Sequence, residues 1–217
     1  MPNFNIIKQN KVNKTFRVAK VMSDFDVSIE HSNEHFEGKI DLPNEWNIGL
    51  ICGGSGTGKT TLSENLARKL NLPVYHIDGI NYLNNWVERD KEERDKMILE
   101  IIKQEKWIID GTYRSTLDAR LERADYIIYL DYSTFAQIKG VFNRCFKNGG
   151  KEKFEIAGCK EQMSWTFFWF VLTWRKRKRN EIISKINNVD YNKVHIFKNR
   201  RELNKWYKNQ FGEKLKI

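Results

Sequence analysis

The residues best suited to chemistry are a glycine-rich run that ends in a lysine and a threonine, Gly53-Gly54-Ser55-Gly56-Thr57-Gly58-Lys59-Thr60. The run satisfies every required position of the pattern G-x-x-x-x-G-K-[ST]. Backbone N–H groups of such a loop turn inward around a phosphate, and the lysine reaches the β- and γ-phosphates. The Thr60 hydroxyl is the expected Mg²⁺ ligand, and Thr61 is included among the nucleotide contacts. The run predicts a site for ATP with Mg²⁺.

The segments on either side of this loop have the character that the motif requires. The apolar run 48–52 predicts a buried strand, and Leu62, Leu66 and Leu70 recur one turn apart, which predicts a helix over 60–70. A strand that runs through a glycine-rich loop into a helix also presents the positive end of the helix dipole to the phosphate.

Three aspartates follow further apolar runs, at Asp78, Asp110 and Asp131. Strands alternate with helical patterns from Trp46 onward, which predicts a parallel sheet with helices on both faces. Ligands of such sheets bind beyond the carboxyl ends of the strands. We therefore expect the three carboxylates to lie near the glycine-rich loop.

Asp110-Gly111-Thr112-Tyr113-Arg114 fits a D-G-x-x-R pattern after a strand. Here the chain resembles the nucleoside monophosphate kinases among P-loop proteins, and more closely the adenylate-kinase-like proteins known as DNA topology modulation proteins. The resemblance rests on segments 72–78, 107–113 and 117–125 and covers roughly residues 47–205.

This resemblance implies a role for each matching residue. Arg114 would hold the phosphate of an acceptor, because a guanidinium fork suits a phosphate dianion. Asp110 would orient the hydration shell of Mg²⁺. Asp78 would contact an acceptor hydroxyl or base and would accept a proton from an alcohol. We expect His76, two residues before Asp78, to be a packed core histidine.

A lid region is expected over about 144–180, with Lys147–Lys151 as its hinge. Arg144 is the first choice for the arginine that closes over the γ-phosphate, with Arg175 and Arg179 behind it. The lid has neither the long domain nor the four metal-binding cysteines of common adenylate kinases. Arg200 follows the last predicted strand, where the resemblance implies a contact with the nucleotide.

The aromatic stretch 163–174 is followed by five consecutive basic residues, 175–179. We interpret it as a helix packed under the lid. An interfacial membrane helix and a stacking surface for nucleic acid remain alternatives. No apolar run reaches the roughly 18 residues that would span a bilayer.

The first 45 residues differ from the rest, with strand character over 4–7, 15–21 and 35–40. We predict a small β-rich appendage over 1–45, joined through Pro43-Asn44-Glu45 to a P-loop kinase domain over 46–217. The expected fold is an α/β three-layer sandwich of the P-loop NTPase class with a five-stranded parallel sheet. The start of the core also resembles transporter-type ATPases, but their Leu-Ser-Gly-Gly-Gln signature and their strand ending in Asp-Glu do not occur.

The formal net charge of +10 favours polyanionic partners. An odd number of cysteines, Cys52, Cys145 and Cys159, without a recognisable signal peptide favours a reduced, cytoplasmic setting. The leading hypothesis is a phosphotransferase that moves the ATP γ-phosphoryl group to a nucleoside monophosphate or similar small acceptor. The alternatives are a nucleic-acid-binding P-loop NTPase or regulator of DNA topology, and a nucleotide-dependent interaction module.

Overall fold

The computed structural model describes residues 3–9, 33–39, 46–153, 156–160 and 164–215. The chain divides into two compact units, Met1–Asn44 and Glu45–Ile217. In the first unit, β1 (Asn3–Gln9) and β2 (Asn33–Lys39) pair antiparallel along their whole length. The strand predicted over 15–21 and the connector over 43–45 lie outside the described residues.

The second unit is built on a five-stranded parallel sheet, which confirms the predicted α/β class. Two further short strands pair antiparallel apart from this sheet. The strands in chain order are β3 (Ile48–Gly53), β4 (Val74–His76), β5 (Trp107–Asp110), β6 (Tyr126–Leu130), β7 (Glu152–Lys153), β8 (Ile156–Lys160) and β9 (Val194–Phe197).

Helices cover the sheet, and side-chain caps begin several of them. Asp90 accepts from the backbone N–H groups of Glu92 and Glu93, and Ser133 and Asn199 cap two later helices. The helices are α1 (Lys59–Leu70), α2 (Ile77–Asn81), α3 (Lys91–Ile102), α4 (Leu117–Arg123), α5 (Thr134–Asn148), α6 (Trp165–Asn187) and α7 (Arg200–Phe211).

The sheet has the order β4-β5-β3-β6-β9, so β3 lies at its centre. Leu50, Ile109 and Ile127 belong to a buried cluster on one face, which α3, α4 and α6 complete. Leu62 and Leu66 of α1 are buried outside that cluster, where α1 packs on β3, β4 and β5. Because all five strands are parallel, the residues that follow β3, β4, β5 and β6 share one edge of the sheet.

Candidate active site

The glycine-rich loop joins β3 to α1 with the backbone that its glycines allow. Gly56 and Gly58 have φ values of 79° and 88°, in the left-handed region, and Gly58 is the N-cap of α1. Lys59 Nζ donates to the carbonyl oxygen of Gly54 at 3.0 Å, and Thr57 Oγ1 donates to the same oxygen at 2.9 Å. The lysine side chain therefore crosses the loop that would surround a phosphate.

Helix α5 packs directly against this loop, which the sequence did not reveal. A Cβ on Gly140 would lie 2.0 Å from the carbonyl oxygen of Gly56, and one on Gly56 would lie 2.2 Å from that of Gln137. Gln137 is fully buried, and its Nε2 donates to the carbonyl oxygen of Tyr132 at 2.9 Å. The available signal in the sequence was Gly140 itself, because a lone glycine inside a helix often marks a close approach of backbones.

Asp110 ends β5 beside the loop and is almost completely buried. Ser63 Oγ donates to its Oδ2 at 3.0 Å, and His76 Nδ1 lies 3.1 Å from the same oxygen. His76 Nε2 in turn lies 2.9 Å from Oε1 of Glu64. These contacts connect the carboxylate to helix α1 and to strand β4.

The prediction that His76 is a packed core histidine is wrong. The chain turns into helix α2 at Ile77, so His76 is the last residue of β4 and lies at the edge of the sheet. The parallel register also places His76 beside Asp110 of the neighbouring strand. Asp78 itself is exposed in the first turn of α2, not at the end of a strand.

The segment from Gly111 to Arg114 is held against the glycine-rich loop. Gly53 N donates to Thr112 Oγ1 at 3.1 Å, and Thr112 Oγ1 lies 2.9 Å from the Gly53 carbonyl oxygen. The guanidinium of Arg120 is fully buried and donates to the carbonyl oxygens of Gly111, at 2.8 Å, and Tyr113. Burial lowers the pKa of Arg120 to about 10, which still leaves it charged at neutral pH.

Arg114 pairs with helix α6, and Asp78 lies near Tyr82 and Tyr113. Arg114 is half exposed, and its Nη1 donates to Oε2 of Glu181 on α6 at 2.8 Å. Burial, and after it the negative charge of Asp78, raises the pKa of Tyr113. Tyr82 has its pKa raised by burial and then by the charges of Glu88 and Asp78. Asp78 therefore lies close enough to both phenols for its negative charge to raise their pKa values.

Asp131 follows β6 and forms ion pairs with two arginines of α6. Arg179 donates from Nε and Nη2 to the two carboxylate oxygens, at 2.7 and 2.6 Å, and Arg175 Nη1 donates to Oδ1 at 2.6 Å. Burial raises the pKa of Asp131, but the hydrogen bonds and charges of the two arginines outweigh it and the net pKa is lowered. The structure thus brings Arg175 and Arg179 to this strand edge, while Arg144 is half-buried along α5.

The remaining predicted nucleotide contacts also lie around the loop. Ser55, Thr60 and Thr61 are half-buried, and the last two are in the first turn of α1. Arg200 begins α7, and its Nη2 lies 3.5 Å from the position that a Cβ on Gly58 would take. The guanidinium is therefore beside the N-cap of α1, where an anion would bind.

The hairpin β7–β8 lies against the turn Asn84–Trp86. Trp86 N donates to Sγ of buried Cys159 at 3.1 Å, and Nζ of Lys153 lies 5.1 Å from the centre of the Trp86 ring. The hairpin was not predicted, because its two short strands have no distinctive periodicity.

Comparison with known proteins adds partial matches. A model of the ATPase family associated with various cellular activities (AAA) matches residues 49–130. Adenylate kinase 2 of Synechocystis sp. is 30% identical over 114 residues, which represent 41% of this chain and 62% of the relative. The matched part is thus less than two thirds of the relative's length.

Two solved structures are also similar at low sequence identity. Shikimate kinase from Acinetobacter baumannii in complex with shikimate is 17% identical, with a TM-score of 0.47, over 79% of this chain and 96% of that one. A gluconokinase from Sinorhizobium meliloti 1021 is 12% identical, with a TM-score of 0.42, over 76% and 90% of the two chains.

Proposed function

We propose that the protein transfers the γ-phosphoryl group of ATP to a small acceptor, a nucleoside monophosphate or a similar molecule. The observation that carries the proposal is the connection between two loops at adjacent strand ends. The glycine-rich loop after β3 would hold the donor, and the segment Gly111–Arg114 after β5 would hold the acceptor. The hydrogen bonds between Gly53 and Thr112 keep the two loops in contact. The partial similarity to an adenylate kinase supports the same reaction.

On the donor side, Lys59 would move from the Gly54 carbonyl to the β- and γ-phosphates, and the backbone N–H groups of the loop would surround them. Arg200 would contact the nucleotide near the N-terminus of α1. On the acceptor side, Arg114 would exchange its half-exposed partner Glu181 for the acceptor. Asp78 would contact an acceptor hydroxyl or base.

The donor atoms at this edge fit Mg²⁺, which prefers hard oxygens and keeps several waters. Thr60 supplies a hydroxyl and Asp110 a carboxylate. Ser63 and His76 both contact Oδ2 of Asp110, so Oδ1 is the oxygen that would meet the hydration shell of the ion. The ion would neutralise charge on the phosphates during transfer.

The lid would provide arginines for the charge that develops on the γ-phosphoryl oxygens. Arg144 on α5 is the first candidate. Arg175 and Arg179 on α6 are held near the ends of the strands by their ion pairs with Asp131. We assign the lid to about 144–180, the kinase domain to 46–217 and a separate appendage to 1–45.

The decisive experiment is an acceptor screen with ATP and Mg²⁺. The panel would contain nucleoside monophosphates and alcohols similar to shikimate and gluconate, and ADP formation would be measured. Failure to form ADP with any of them would refute the proposal.

Variants then separate the two halves of the site. Lys59→Ala should lower kcat/KM by at least about 100-fold, because it removes charge stabilisation of the transferred group. Arg114→Ala should raise the acceptor KM about 10- to 100-fold, because it removes the binding free energy of a hydrogen bond to a charged group. The KM for ATP should change much less. Arg68→Ala, an exposed arginine on α1, is the matched control and should behave as wild type.

The alternative, a nucleic-acid-binding NTPase or regulator of DNA topology, rests on the net charge and on the basic run 175–179. Two members of that run, Arg175 and Arg179, are bound to Asp131. A salt-sensitive electrophoretic shift of DNA or RNA would favour this alternative, and the absence of binding at low salt would end it.

A further inference from the structure

Helices α5 and α6 expose large aromatic side chains that the proposed phosphotransfer does not use. Trp165 is 80% exposed, Trp169 is 59% exposed and Phe146 is 86% exposed. Single exposed apolar residues are ordinary, but a contiguous group of them marks a surface that meets a partner or a membrane.

Aromatic rings of the two helices contact one another. The ring of Phe142 on α5 lies 6.4 Å from that of Phe168 on α6, and Phe168 lies 6.0 Å from Trp165. Along α6 a shallow groove of about 450 Å³ continues this surface. We name the groove and its lining the aromatic-basic face, which consists of Trp165, Thr166, Trp169, Phe170, Thr173 and Arg177.

The charged side chains of α5 and of residues 165–180 in α6 are all basic. No Asp or Glu occurs in α5 or in residues 164–180, although the chain has 28 acidic residues. Lys139, Arg144 and Lys147 lie on α5, and the run 175–179 lies on α6. Lys176 and Arg177 are exposed. The surface is therefore suited to an anionic partner.

The order of side chains along α6 indicates the kind of anionic partner. The aromatic residues occupy the first two turns and the cations follow, with Arg177 about 18 Å along the helix axis from Trp165. Single-stranded nucleic acid is bound by aromatic rings interleaved with cations along the strand. A lipid interface instead takes up a group of apolar side chains at the boundary between headgroups and acyl chains, while adjoining cations contact the anionic headgroups. The segregation on α6 matches the second arrangement.

We propose that the aromatic-basic face binds the surface of an anionic lipid bilayer. Trp165, Trp169 and Phe170 would enter the boundary between headgroups and acyl chains, and Lys176 and Arg177 would contact lipid phosphates. The contact is peripheral, since no helix in the described part of the chain is long and apolar enough to cross a membrane. Because α6 also carries Arg175 and Arg179, binding would take place on the lid helix itself.

The test is co-sedimentation of the full chain with vesicles. One set contains phosphatidylcholine and phosphatidylglycerol in equal amounts, and the other contains phosphatidylcholine alone. Binding to the anionic vesicles should exceed binding to the neutral ones and should weaken with salt. Brominated acyl chains should quench tryptophan fluorescence in the wild type, which reports insertion of the rings.

Two double variants divide the contributions. Lys176→Gln with Arg177→Gln should weaken anionic-vesicle binding about 25-fold, at about fivefold for each cation near the surface. Trp165→Ser with Trp169→Ser should weaken it at least about tenfold and should remove most of the quenching. Tyr191→Ser and Lys205→Gln with Lys208→Gln are matched controls at exposed positions elsewhere, and both should bind as wild type.

Several outcomes would overturn the proposal. Equal binding to both vesicle types would do so, as would vesicle binding that survives in both double variants. A wild-type dimer that dissociates in the double tryptophan variant would show that the face binds a second copy of the chain in place of a bilayer. Binding of single-stranded DNA in place of vesicles would also overturn it. Because the variants leave the glycine-rich loop and Arg114 intact, failure here would not affect the proposed phosphotransfer.

Discussion

Gly140 offers the sharpest test of how the proposed nucleotide site is built. Replacement by Ala places a Cβ 2.0 Å from the carbonyl oxygen of Gly56, whereas ordinary contacts begin near 3.4 Å. Helix α5 and the glycine-rich loop would have to separate by about 1.4 Å, and both contacting groups are backbone, so no side-chain rotation relieves the clash.

Two effects on the free energy of unfolding oppose each other in Gly140→Ala. Alanine in place of glycine stabilises a helix interior by about 1 kcal/mol. Overpacking costs about 1–3 kcal/mol. The variant should therefore lose only about 0–2 kcal/mol of stability, and it should remain folded at room temperature.

Nucleotide affinity should fall much further than stability in Gly140→Ala. A displacement of more than 1 Å would misalign the backbone N–H groups that face the phosphates, and each such hydrogen bond to a charged group contributes about 1.5–3 kcal/mol. Loss of two would weaken ATP binding at least about 100-fold. Calorimetric titration with ATP and Mg²⁺ measures this change, with Lys139→Ala on the same helix as control. Wild-type affinity together with a raised Tm would refute the close packing of α5 on the loop.

Two other predictions concern charged residues that the fold buries. Arg120→Met removes a guanidinium from the carbonyl oxygens of Gly111 and Tyr113, so the free energy of unfolding should fall by about 2–4 kcal/mol and the acceptor KM should rise, with partial recovery in Arg120→Lys. Denaturant unfolding and steady-state kinetics measure these effects, with Arg123→Met on the same helix as the control. A rise in the KM for ATP alone would contradict the role assigned to Arg120. The lowered pKa of Asp131 means that its carboxylate stabilises the fold above the ordinary pKa of 3.8, and that this contribution disappears as the pH falls through the lower folded value. Asp131→Asn should therefore have a free energy of unfolding about 1–3 kcal/mol below that of the wild type near pH 6, a range that allows for the partial exposure of the two arginines. Urea titrations should show that this difference shrinks below pH 4. A difference that stays constant down to pH 2 would show that the ion pairs are not its cause.

The sequence by itself determined the features that depend on neighbouring residues. The strand, glycine-rich loop and helix from Ile48 to Leu70 follow from local apolar spacing and from the left-handed backbone that Gly58 supplies. The caps at Asp90, Ser133 and Asn199 are equally local, because each side chain bonds a backbone N–H two or three residues away. Alternation of strands and helices was sufficient to predict the parallel sheet and the edge at which the proposed site lies.

Only the tertiary structure decided which distant residues meet at that edge. Asp131 lies 44 and 48 residues from the arginines that bind it, and His76 reaches Asp110 through the register of two strands. Gly140 touches Gly56 because a helix crosses the loop without room for a side chain. These contacts depend on strand order and helix packing, which hydrophobic periodicity does not specify. Local hydrogen bonding and apolar spacing thus encoded the donor loop, while long-range packing set its surroundings.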